Sequence, residues 1–234
     1  VSGLHQDDLQ TRASKQVRRN FFSGNFAYQS TRTDAPNVFG FLNTTRSSGL
    51  NTAFNYRYSF SQRTFVNLGT NFSQSRLLLT PFFANRANVS GAAGISGNNQ
   101  DAVNWGPPAL AFSGGIATLS DAQATRSANR TAGFSADAFM SRDRHNITYG
   151  GTLRRQQFNL VSQQDPRGTF AFTGASTGND FAGFLLGVPD TSTISFGNAD
   201  KYLRAHTIET FVNDDWRMNP GFTINAGVRW EFWS

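Results

Sequence analysis

The chain has 234 residues, a formal net charge of +6, 38% hydrophobic and only 15% charged residues, and no cysteine. That length allows one or two soluble domains or a piece of something larger, while the lack of cysteine excludes a disulfide framework and a thiolate metal site. The positive residues are almost all Arg, with Lys only at 15 and 201, and they are spread along the chain; this sets nucleic acid aside as a partner, since that function gathers its charge into a patch.

The opening residues, Val1 to Gln10, hold no basic segment followed by an apolar run. No apolar stretch reaches the ~18 residues of a membrane helix. The chain is therefore expected to be neither an intact precursor nor a helical membrane protein, with His5 on an N-terminal tail. A composition with 22 Gly and 23 Phe suits strands and turns better than helices.

The first predicted strand is Arg19 to Gln29, with Phe22, Phe26 and Tyr28 on one face and Ser23, Asn25 and Gln29 on the other. In Asn51 to Phe60 an aromatic ladder of Phe54, Tyr56, Tyr58 and Phe60 opposes Asn55, Arg57 and Ser59. Thr64 to Arg76 sets Val66, Leu68 and Phe72 against Asn67, Asn71 and Ser73, with Phe65 on the polar parity. Arg130 to Met140 and Asn146 to Gln156 repeat the pattern, with Asp137 and Arg154 on their polar faces and Arg155 as an exception on the apolar one. Arg204 to Trp216 and Phe222 to Phe232 complete about seven strands. In the last of these, Phe222, Ile224, Ala226, Val228, Trp230 and Phe232 face away from Thr223, Asn225, Gly227, Arg229 and Glu231. Each is about as long as a tilted membrane-crossing strand, for which ~9–11 residues suffice.

The links alternate in length. Short ones lie at Ser61 to Arg63, Ser141 to His145 and Met218 to Gly221, and long ones at Thr31 to Leu50, Thr80 to Ala128 and Asn159 to Tyr202. Structureless links beyond about 12–15 residues are uncommon in compact soluble domains, whereas outer-membrane barrels have tight periplasmic turns and long extracellular loops. The turns are thus expected on the periplasmic side. Trp105 sits in the long Gly/Asn/Ser-rich link, either at a ligand-contacting tip or packing the loop onto its neighbours. Phe181 to Val188 is an apolar run expected to form a short helix or turn against the barrel mouth.

Catalytic patterns are missing. His5, His145 and His206 have no metal-ligand spacing, Asp214 and Asp215 are adjacent on a strand and point to opposite faces, and Gly91, Gly94 and Gly97 do not form a phosphate-binding fingerprint. The chain is read as non-enzymatic, with no cofactor and no metal. If the apolar faces meet outer-membrane lipid, the lumen-facing candidates are Arg57, Asp137, Arg154, Glu209, Asn225, Arg229 and Glu231, chiefly as a hydrogen-bonded, ion-paired wall. Charge on a lipid face costs about 2–4 kcal/mol near the midplane, so the opposite parity stays apolar.

"FVNDDWRMNPGFTINAGVRWEF", Phe211 to Phe232, resembles the strand–turn–strand hallmark of TonB-dependent outer-membrane receptors, above all the Oar-like group with a carboxypeptidase-regulatory-like domain. "RHNITYGGTLRRQQFN", Arg144 to Asn159, and "DPRGTFAFTGASTGNDFAGFLLGVPD", Asp165 to Asp190, resemble the preceding strand and loop of the same group. Gly183 and Asn213 depart from it, where Asp and Gln are common. The resemblance implies a plugged barrel of 22 strands. Residues 1–234 are then an interior part of that all-β antiparallel barrel, in a Gram-negative-type outer membrane, without plug, TonB box or signal peptide. It also implies active uptake of an undetermined ligand, driven by the TonB complex through a plug domain that this sequence lacks. Two other readings are a surface-adhesion barrel that anchors its loops, and a soluble β-sandwich carbohydrate-binding module that buries the Phe54 ladder under a second sheet.

Overall fold

The computed structural model describes residues 2–37, 39–195 and 197–234. The strands are β1 (Gly3–Val17), β2 (Asn20–Pro36), β3 (Leu42–Ser61), β4 (Thr64–Thr80), β5 (Ala109–Phe112), β6 (Thr125–Arg142), β7 (His145–Ser162), β8 (Thr169–Phe172), β9 (Thr191–Thr193), β10 (Lys201–Asn219) and β11 (Phe222–Trp233). Two short α-helices, α1 (Val89–Ala92) and α2 (Asp180–Leu185), lie in the long connections, and among the described residues no helix is long and apolar enough to cross a membrane.

Eight long strands form one open antiparallel sheet in the order β1-β2-β3-β4-β6-β7-β10-β11. All seven predicted strands are in it, each longer than the membrane crossing requires. The eighth, β1, lies where a tail was expected, paired with β2 from Gly3↔Asp34 to Val17↔Asn20. Its sequence hides it: His5, Asp7 and Lys15 fall on the parity that is apolar elsewhere, while Leu4 falls on the other. Main-chain pairing with β2 forms the strand without any alternation of side chains.

The tight turns are Arg18–Arg19, Gln62–Arg63, Asp143–Arg144 and Pro220–Gly221. Arg18 and Asp143 have φ of 53° and 54°, the left-handed conformation that two-residue hairpins demand. At the other end, the connection expected to run as a long loop from Thr31 to Leu50 is instead a continued hairpin. β2 and β3 stay in register up to Pro36↔Leu42, because polar Ser, Thr and Arg side chains can stand on both faces of a strand once it has left hydrocarbon. The other two long connections are genuine and hold a three-stranded sheet, β5-β8-β9, with β5 and β8 parallel.

Burial is inverted relative to a soluble protein. Among the described residues the buried hydrophobics are Ala84, Ala124 and Phe172, all in the long connections, whereas Phe54, Tyr149, Leu153 and Val212 are each about half exposed, at 48%, 51%, 52% and 46%. From Ala205 to Val212, β10 alternates half-buried and exposed; Ile208 and Val212 are exposed and Glu209 is half-buried. Among the described residues no second sheet covers the aromatic ladder of β3, whose Phe54 and Phe60 are exposed, so the sandwich reading has no dry core to rest on. A face this apolar and this open is built for a nonaqueous solvent.

Candidate functional site

The polar face is organised by one register row that crosses the sheet: Phe21, Arg57, Asn67, Asp137, Gly150, Phe211 and Arg229 are successive partners on β2, β3, β4, β6, β7, β10 and β11. Period-two alternation puts all their side chains on the same side. Arg57 Nε donates to Asn67 Oδ1 at 2.7 Å, and Asn67 Nδ2 donates to Asp137 Oδ2 at 2.6 Å. Asn67 thus relays between a cation and an anion two strands apart. These three line, with Phe21, Asn55 and Ser135, a cavity of about 350 Å³.

Phe65, the exception to the parity of β4, has a place in this arrangement. The Arg57 guanidinium lies 4.5 Å from its ring centroid, and the ring stacks on Phe139 at 5.1 Å. An aromatic pair beside an arginine holds the cation by its quadrupole.

At the other end of the row, Glu209 and Glu231 are direct cross-strand partners. Arg229 bridges them, with Nη2 to Glu209 Oε2 at 2.9 Å and Nε to Glu231 Oε1 at 2.5 Å. Of the sequence candidates, Arg57 and Asp137 therefore share one network and Glu209, Arg229 and Glu231 another. Arg154 stands between Gly133 and Thr207 and Asn225 opposite Asp215, outside both networks. Asn67 was not singled out by sequence, because an Asn among many on a polar face carries no mark until its two partners are in place.

The loop cluster above the sheet is a folded layer. Phe112, Phe172 and Phe184 pack with centroids 5.5–5.6 Å apart, which seats α2 on the small sheet. Asn179 caps α2 by accepting from Ala182 N at 3.0 Å. The helix in the Phe181 to Val188 run forms as expected and packs on β8, while Leu185 and Leu186 stay 69% and 70% exposed. Arg167, 4% exposed, meets Asp121 at 3.5 Å and donates to the Ala122 carbonyl. Burial pushes the Asp121 carboxyl up against the pull of Arg167, and burial likewise lowers the Arg167 guanidinium. Asp190 is the opposite case. It accepts from Thr173 N and Oγ1, Gly174 N and Ser176 Oγ, and these bonds, Thr173 first, lower its carboxyl to about 2.

Trp105 is half-buried, and its indole Nε1 donates to the Gln100 carbonyl at 3.0 Å, which ties it into its own loop. That loop leans on the β2–β3 hairpin, where Phe41 packs against Phe82 and Phe83 at 5.6 and 4.7 Å. Among the described residues, no group of three or more His, Asp or Glu is placed to hold a metal ion. The arrangement offers fixed donors and acceptors on a wall that carries both signs of charge.

No curated protein matches this sequence. Among solved structures, the outer membrane transporter YddB from Escherichia coli superposes with a TM-score of 0.57 over 97% of this chain at 8% identity. The match covers 27% of that transporter, so the chain spans about a quarter of its length, and the likeness is one of fold. The family model of the outer membrane beta barrel domain matches residues 5–234. Its open sheet of tight-turn hairpins, its inverted burial and this match together place the chain in the outer membrane, as a member of the outer membrane β-barrel domain family.

Proposed function

We propose that this chain is barrel wall of a TonB-dependent transporter of the Oar-like group, non-enzymatic, whose polar face lines the lumen. The observation that carries the reading is the register row from Arg57 to Arg229. It presents alternating charge and small or aromatic spacers on one side of a sheet whose other side is apolar. Such a wall holds polar solute and water without a net field of one sign, and it suits packing against a plug domain supplied by the rest of the protein. The transporter fold of the similar structure supports the same reading. The folded loop layer, with its exposed Leu185 and Leu186, is the surface at which a ligand first arrives. Carbohydrate, peptide and metal chelate are all chemically compatible with it.

The test is uptake by cells that express the full-length protein, across labelled members of those three ligand classes, with the inner-membrane energising complex present or deleted. Accumulation of one ligand that is lost on deletion supports active transport. Surface binding that survives the deletion, with no accumulation of any ligand, overturns it in favour of an adhesion barrel.

A further inference from the structure

The apolar face changes character towards the long-loop ends of the strands. Arg155, the exception to the parity of β7, is one of a cluster. Continuing the apolar parity upward, β2 carries Arg32, β3 Arg46, β4 Arg76, β6 Arg126 and Arg130, and β10 Arg204. Register places six of them in three successive rows of that face. Arg32, Arg46, Leu78 and Arg126 are successive partners, and Arg76 lies between Ser48 and Ala128 in the next row. Gln74, Arg130, Gln157 and Arg204 are successive partners in the third, with Arg155 opposite Ala132 one row below. Arg46, Arg76, Arg126 and Arg130 line a groove of about 720 Å³ together with Tyr28 and Tyr202, and Arg32, Arg155 and Arg204 stand beside it on the same face.

Carboxylates are few there, Asp34 on β2 and Asp7 on β1. Arg32 pairs with Asp34 at 3.0 Å. Among the described residues, Arg46, Arg76, Arg126, Arg130, Arg155 and Arg204 have no acidic group within 4.0 Å. Arg76 and Arg130 instead converge on the neutral Gln74. With its amide turned so that oxygen faces both guanidinium groups, Gln74 accepts from Arg130 Nε at 2.6 Å and from Arg76 Nε and Nη2 at 3.2 Å. Converging cations that share one neutral acceptor form a site with its anion still to come.

The height of the cluster names the anion. Arg76 and Arg130, the lower arginines of the groove, stand about a dozen residues up their strands from the tight turns; at ~3.3 Å per residue and a tilt of ~40° that is about 30 Å, with Arg46 and Arg126 about 10 Å higher. The apolar band of an outer-membrane barrel is about 25 Å tall, and arginine on the lipid face costs little only near its edges. Immediately below lie Phe54, Phe134, Leu153 and Ile208, all exposed. The groove therefore opens sideways at the headgroup level of the outer leaflet, whose phosphorylated glycolipid presents phosphate at the top of its acyl chains. Tyr28 and Tyr202, 41% and 60% exposed, are amphipathic rings suited to that same boundary.

We infer that this arginine groove binds the phosphate groups of an outer-leaflet glycolipid of the lipid A class, fixing a lipid to the outside of the barrel beneath the loop layer. The inference rests on the apolar face meeting lipid, and is independent of what passes through the barrel.

The test uses the full-length protein purified from outer membranes in detergent, with bisphosphorylated lipid A and its fully dephosphorylated form titrated and bound lipid counted by native mass spectrometry. R76Q/R126Q/R130Q is compared with R19Q/R63Q/R142Q, which removes the same charge at the tight-turn rim, and with R76K/R126K/R130K, which keeps charge and loses the planar fork. The glutamine triple is expected to weaken bisphosphorylated lipid A by about 100-fold, from ~1 kcal/mol per cation at a membrane surface. The rim triple should bind as wild type, the lysine triple should fall between, and excess inorganic phosphate should leave the lipid bound. Each protein is scored only as its folded, heat-modifiable form. Equal binding by wild type and the glutamine triple, or by both forms of lipid A, overturns the proposal. Full displacement by inorganic phosphate also overturns it, in favour of a soluble-phosphate site. If lipid A fails to bind wild type at all, the face assignment falls with it.

Discussion

Arg229 Nη2 lies 2.9 Å from Glu209 Oε2 across the β10–β11 pair, and the same guanidinium holds Glu231, the residue directly opposite Glu209. Two carboxylates facing each other across an antiparallel pair repel, so Arg229 is what makes this register tolerable. Arg229 is 59% exposed at its side chain, and screening keeps the pair's worth to about 1 kcal/mol or less. R229Q should lower the urea midpoint of the folded full-length protein by a correspondingly small amount, more at low salt than at high. R229Q/E231Q should recover most of that loss, because it removes the like-charge pair with the bridge. Equal losses in both variants would show that the carboxylates do not feel each other.

Assignment of the two faces is tested at adjacent residues of β7. Leu153 is 52% exposed between Phe134 and Ile208 on the apolar face, while Thr152 lies between Ser135 and Glu209 on the polar one. L153K places an ammonium on the lipid face one row below Arg155, near the upper edge of the apolar band, and is expected to destabilise the barrel by about 1–2 kcal/mol, less than the midplane cost. T152K gains Glu209 as a neighbour and should be within about 0.5 kcal/mol of wild type. Urea unfolding monitored by tryptophan fluorescence in lipid vesicles reads both; the reverse order would mean that lipid meets the polar face.

Gly150 sits in the middle of the polar row, where a Cβ would come within 2.5 Å of the Ala136 carbonyl and 2.9 Å of Asp137 Cα. Those are backbone atoms and cannot swing aside. G150A should push β6 and β7 apart and cost about 1–3 kcal/mol, the range for overpacking. The nearby G69A meets mainly the rotatable Ser135 hydroxyl, so it should cost less. Thermal unfolding of the two variants gives the comparison directly.

The strands that face lipid on one side were legible because hydrocarbon enforces a strict alternation: Phe222 to Phe232 can be read without any structure. Legibility ended where lipid ended. β1 carries charge on both parities, and the upper halves of β2 and β3 are Ser, Thr and Arg on both faces, so nothing in their side chains separates a strand from a loop. The long connections concealed a small sheet, since β5, β8 and β9 are three or four residues each and β5 pairs with β8 across about 60 residues of sequence. The lone Arg155 on β7 looked like an outlier. Only register, which sets Arg155 opposite Ala132 one row below the Arg130–Gln157 pair and brings Arg76 alongside through Ala128, shows that it stands next to a group of arginines.

Asp190 gives the loop layer a pH limit that the sheet does not share. Its carboxylate takes the Thr173 and Gly174 amides and the Thr173 and Ser176 hydroxyls, and so joins the turn that follows β8 to the chain leaving α2. These bonds favour the charged form and hold the group down to about 2. A carboxyl whose folded value is depressed contributes stability above its unfolded value, near 3.8, and loses it as pH falls through the folded one. Between pH 4 and about 2 the connection from 169 to 190 should therefore loosen while the barrel strands, closed by main-chain bonds, stay paired. Pepsin, active across that window, should cut near Phe170, Phe172 or Phe184 progressively faster as pH falls. D190N, which cannot carry the charge, should already be cut rapidly at pH 4 and gain little on further acidification. A wild-type cleavage rate that tracks that of D190N at every pH would remove Asp190 as the clasp of this loop.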